Sequence, residues 1–111
     1  MSASELESLF ASQLDAVGLG GYVREYQAIP GRRFRFDFCW VKERLAVEIQ
    51  GGTYSRGAHV RPLGVRRDYE KGNLAVKHGW RVLQFDADMV KSGQALEFTE
   101  KMLRGERNDG I

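Results

Sequence analysis

The chain carries a single cysteine, Cys39, and two histidines in 111 residues. One cysteine closes no internal disulfide. With no second cysteine or close histidine it offers no zinc site, so a packed thiol is expected. No signal peptide and no apolar run of transmembrane length is present. These absences together predict a reducing, cytoplasmic setting, nucleoid-associated or in a host cytoplasm if phage-encoded, with no membrane partner. Internal repeats and low-complexity segments are also missing. Residues 1–20 have no lysine or arginine, only Glu5, Glu7 and Asp15.

What remains is ordinary in bulk, with 42% hydrophobic and 29% charged residues, which excludes a disordered or fibrous chain. The length suits one small domain over 1–111. The net charge of +2 is unevenly spread. Residues 51–81 hold Arg56, Arg61, Arg66, Arg67, Lys71, Lys77 and Arg81 against only Asp68 and Glu70. A basic excess of that kind suits a polyanionic partner.

The most informative stretch runs from Arg33 to Gln50. Phe34, Phe36, Phe38 and Trp40 alternate with Arg33, Arg35, Asp37 and Cys39, the period of a strand. Leu45, Val47 and Ile49 then alternate with Ala46, Glu48 and Gln50. A hairpin turning about Lys42 and Glu43 sets Asp37 opposite Glu48 on one face. Like charges so placed repel unless something positive lies between them, and a divalent cation is the natural candidate.

Around this hairpin, Leu6, Leu9, Phe10, Leu14 and Val17 predict an amphipathic helix from Ser4 to Val17, with Ser4 and Glu7 as a capping box. Tyr22 to Ile29 reads as a strand that turns at Pro30 and Gly31 into the Arg33 strand. Gly51 to Gly64 reads as a long loop, and Val65, Tyr69, Leu74 and Ala75 mark a helix to Lys77 or His78. Trp80 to Phe85 is then a fourth strand, parallel to the third because a helical crossover joins them. Asp86 to Gly93 bends the chain, Gln94 to Leu103 makes a last helix, and the GERNDGI tail frays. The predicted class is α/β, in the order αβββαβα, with a mixed central sheet flanked by helices.

An acid on a hairpin strand followed by Glu-x-Lys on the next strand is the layout of the PD-(D/E)XK nuclease superfamily, and this chain resembles it. The closer resemblance is to the small domains related to the very-short-patch repair endonucleases. It rests on Glu7 with Phe10, on Asp37 and Phe38, and on Leu45, Glu48, Gly51 and Gly52. Asp68 and Lys71 follow, then Gly79, Val82 and Phe85. One departure stands out, because the superfamily's lysine is Gln50 here, which supplies no positive charge.

The resemblance implies a restriction-endonuclease-like fold and a metal-dependent endonuclease that hydrolyses DNA, structure-directed or recruited by a partner, in repair, recombination or mobile-element processing. Asp37 and Glu48, with the backbone carbonyl of Ile49, are then expected to hold Mg²⁺ or Mn²⁺, an all-oxygen site. Gln50 would orient water, Glu7 would hold a further water or ion, and Lys71 would steady the phosphate. For Glu7 helix capping is the competing role, and for Lys71 a surface pair with Glu70 or Asp68. His59, between Arg56 and Arg61, is either a proton donor to the leaving oxygen or a plain loop residue. Arg56, Arg61, Arg66 and Arg67 are candidate nucleic-acid contacts. A homodimer or a recruiting protein is the other expected partner. The rival class is a non-catalytic nucleic-acid-binding module of the same fold, in which the facing acids have no purpose.

Overall fold

The computed structural model describes residues 1–50 and 62–105. In chain order its elements are α1 (Ala3–Ala16), β1 (Val23–Tyr26), β2 (Phe36–Trp40), β3 (Leu45–Ile49), α2 (Pro62–Lys77), β4 (Arg81–Phe85), α3 (Ala87–Ser92) and α4 (Gln94–Arg104). The sheet runs β1-β2-β3-β4, antiparallel at the first two pairings and parallel between β3 and β4. Helices cover both faces, as the α/β reading anticipated. Phe38 pairs with Val47, Cys39 with Ala46 and Trp40 with Leu45, the register expected of a turn about Lys42 and Glu43.

The two apolar clusters explain the layering. On one face Leu6, Phe10 and Leu14, one helical turn apart on α1, bury against Phe38, Trp40, Leu45 and Val47, with Phe85, Val90 and Ala95 beside them. Phe10 meets Phe38 edge-on at 5.1 Å between ring centroids. On the other face Cys39, Ala46 and Trp80 pack with Ala75 of α2. Small residues at positions 39, 46 and 75 let that helix come close to the sheet. Truncating a ring such as Phe10 to Ala costs about 3–5 kcal/mol, because the rigid surroundings cannot refill the hole.

Several expectations are corrected. Helix α1 is capped by Ser2, whose hydroxyl accepts from the Glu5 N–H while the Glu5 carboxylate accepts from the Ser2 N–H. This earlier capping box outcompetes the one at Ser4 and leaves Glu7 free of capping. Helix α2 starts at Pro62 rather than Val65, since proline is suited to a first helical position. Tyr69 points outward at 68% exposure instead of joining the core. The bend after β4 is helix α3, capped by the Asp86 carboxylate on the Met89 N–H.

The alternation along β2 also fails at one point. Phe34 and Phe36 pack on the α2 face with Ile29 and Cys39, whereas Phe38 and Trp40 pack on the α1 face. The break has a visible cause. The β1–β2 register brackets Glu25 opposite Asp37, and Glu25 takes the left-handed backbone conformation, φ +50°. Residues 33–35 lie outside the strand, which begins at Phe36 opposite Tyr26. The expected loop from residue 51 up to α2 and the expected frayed tail fall on, or largely on, residues outside those described.

Candidate active site

The site lies where the β2–β3 ladder stops. Beyond the Phe38–Val47 pair, side-chain carboxylates take over the backbone's hydrogen bonds. The Ile49 N–H donates to Asp37 Oδ2 at 2.7 Å, and the Asp37 N–H donates to Glu48 Oε2 at 3.3 Å. Each acid is thereby tethered to the other's strand, and both are only partly exposed.

Glu48 faces α2. Lys71 donates to Glu48 Oε1 at 2.8 Å and to the Arg35 carbonyl, and its Nζ lies 4.4 Å from the centre of the Phe36 ring. The predicted alternative pairing of Lys71 with Glu70 or Asp68 is not found. Glu70 instead accepts from Arg32 at 3.0 Å, because adjacent residues on a helix point in different directions.

A second group of acids surrounds Asp37. Glu7 of α1 and Glu25 of β1 each bring a carboxylate oxygen to Asp37, all three atoms within 4.8 Å of one another. Arg24 pairs with Glu7 at 2.9 Å and covers the Phe38 ring. Glu7 is therefore a site-facing residue and not a cap. Asp37 pays electrostatically for this company: burial first, then the charges of Glu48, Glu7 and Glu25, push its carboxyl up to about 7, against the pull of the Ile49 N–H. Crowding of this kind is relieved either by a proton or by a cation.

Of the other predicted residues, Gln50 follows β3, exposed, with its N–H on the Phe85 carbonyl at 2.7 Å. Arg66 and Arg67 are exposed on α2. His59, Arg56 and Arg61 lie outside the described residues. Cys39 is fully buried, and burial with the neighbouring Glu48 pushes its thiol up to about 12, which rules out a reactive thiolate. Glu25 was missed by sequence reasoning. A hairpin centred on Gly31 would have set it opposite Asp37.

No protein-family model matches the chain, and no curated protein matches it. Among solved structures, the catalytic domain of the homing endonuclease I-Bth0305I aligns with a TM-score of 0.66 at 20% identity, over 87% of this chain and 91% of that domain. At that identity the likeness is one of fold.

Proposed function

We propose that this protein is a divalent-cation-dependent endonuclease of the PD-(D/E)XK type that hydrolyses phosphodiester bonds in DNA. The observation that carries the reading is the convergence of Asp37, Glu7 and Glu25 beside the Glu48–Lys71 pair, at the open end of a sheet. The fold shared with the homing endonuclease catalytic domain supports it.

The donor set fits a hard cation. It is entirely oxygen, it carries excess negative charge, and burial together with the neighbouring acids holds Asp37 up to about 7, a penalty that a bound cation would offset. Asp37, Glu48 and the carbonyl of Ile49 would hold Mg²⁺ or Mn²⁺, with Glu7 and Glu25 supplying further oxygens. In an extended strand a residue's N–H and C=O project to the same edge, so the Ile49 N–H on Asp37 turns its carbonyl toward the acids. When bound, such an ion supplies positive charge against the phosphoryl oxygens and acidifies water.

The chain's own groups do the rest. Lys71, fixed by Glu48, Arg35 and the Phe36 ring, brings an ammonium from α2 to the place the superfamily's strand lysine serves. Its charge stabilises the phosphate as negative charge builds in the transition state. Gln50, at the rim, offers an amide that can donate to or accept from the attacking water. A small reading surface leaves target choice to DNA shape, a second copy or a recruiting protein.

The reading is tested on supercoiled plasmid DNA with Mg²⁺ or Mn²⁺. The wild type should nick or linearise it, a chelator should stop it, and Asp37→Ala should lose at least 10²-fold in rate. An Asp37→Ala protein that cuts as well as the wild type overturns the site. A binding module without chemistry gains nothing from acids that repel DNA and from one held near 7.

A further inference from the structure

A second feature lies one helical turn from Lys71. The β1–β2 turn, which Gly31 closes at φ +77°, faces α2 across a cleft of about 430 Å³ lined by Gly31, Arg32, Arg33, Phe34 and Arg67. Three of these five residues are arginines. Arg32 is anchored, bonded to Glu70 of α2 at 3.0 Å and lying 4.7 Å from the Phe34 ring centre. Its pairing ties the turn to the helix and fixes the cleft's width. Arg33 and Arg67 are exposed and have no carboxylate partner among the described residues.

We infer that this cleft is a phosphate-binding subsite that seats the DNA backbone one to two nucleotides from the scissile phosphate. The inference rests on the nuclease reading and adds a substrate path to it. Guanidinium groups match phosphate oxygens in a two-pronged way that surface lysines do not, and Phe34 gives the sugar an apolar wall. The spacing supports the assignment. Arg67 and Lys71 are four residues apart on one helix, on the same side and about 6 Å apart along its axis. A duplex strand advances about 3.4 Å per phosphate, so groups so spaced meet phosphates one or two steps apart. The chain running from the cleft into β2 passes Arg35, whose carbonyl accepts from Lys71, so cleft and site are joined through both this segment and α2.

The experiment measures affinity for a short DNA duplex by fluorescence anisotropy against salt, in chelator, for wild type, Arg33→Ala/Arg67→Ala and Arg33→Lys/Arg67→Lys. The alanine pair should lower the slope of log K against log salt by about 2, and the lysine pair should keep it. A neutral methylphosphonate one or two nucleotides from the cut should weaken wild-type binding about tenfold and leave the alanine pair nearly unaffected. If wild type binds DNA and the alanine pair keeps its slope, the cleft inference falls while the nuclease reading stands. If wild type binds no DNA either in chelator or with Ca²⁺ in its place, both fall together.

Discussion

Lys71 reaches from α2 to Glu48 on β3 with 2.8 Å between Nζ and Oε1, and the two side chains are only 16% and 18% exposed. An ion pair that far from bulk water is worth more than a surface pair, and it fixes an ammonium beside the acids. In the proposed nuclease reading that ammonium stands in for the lysine that Gln50 does not supply.

The first prediction follows from that replacement. Lys71→Ala should lower the single-turnover cleavage rate by about 10²-fold or more, as loss of a charge that acts in the transition state does. Gln50→Lys in the same background should restore part of it if, as proposed, position 50, just past the end of β3, faces the same phosphate. Unchanged cleavage by Lys71→Ala would mean that the charge plays no part.

The two acids should differ in what they do to stability, measured by thermal melts in chelator. Asp37→Asn removes a crowded charge while keeping an acceptor for the Ile49 N–H, so the melting temperature should rise. Glu48→Ala strands both the Lys71 ammonium and the Asp37 N–H, so it should fall, by about 1–3 kcal/mol in stability. Equal effects would show that the acids are interchangeable. Wild type should also gain stability on titration with Mn²⁺, and Asp37→Asn should gain little.

These contrasts mark what was legible in the sequence. The hairpin register was, because a four-residue turn between two alternating runs leaves one pairing that buries Phe38, Trp40, Leu45 and Val47 together. The parallel fourth strand was, because a helix of this length must cross over. The split of the phenylalanines between two faces was not. It depends on the left-handed Glu25, a backbone state that strand periodicity does not encode. Lys71's partner was also hidden: a charge on a helix can be matched within its helix by spacing, but a match across to a strand needs the docking geometry. Glu7 went both ways, because Ser2 with Glu5 and Ser4 with Glu7 are equal capping boxes on paper, and only the first leaves Glu7 facing Arg24 and Asp37.

Glu25 carries a third prediction. A non-glycine residue at φ +50° is strained, by about 1 kcal/mol or more, and this one also adds charge beside Asp37. Asparagine tolerates that backbone and removes the charge. Glu25→Asn should therefore melt higher than wild type in chelator yet gain less from added Mn²⁺. A lower melting temperature would mean that the Glu25 side chain supports the fold rather than the site.

The last prediction concerns pH. Asp37 is held up to about 7 in the folded protein against 3.8 as the ordinary value, so between those limits the folded state keeps a proton that the unfolded state has released. The unfolded state then binds fewer protons, and stability contributed by this group must fall as pH rises. Its contribution is complete below about 4, declines through the range to about 7, and is gone above that. In chelator, the wild-type melting temperature should drop by several degrees from pH 4.5 to pH 7.5, at roughly 4–8 °C per kcal/mol for a domain of this size. Asp37→Asn should flatten that drop, since the amide does not titrate. Mn²⁺ at pH 7.5 should restore the wild type by favouring the ionised carboxylate. A wild-type profile that matches Asp37→Asn throughout would mean that Asp37 ionises normally and that the acids around it are not crowded in solution.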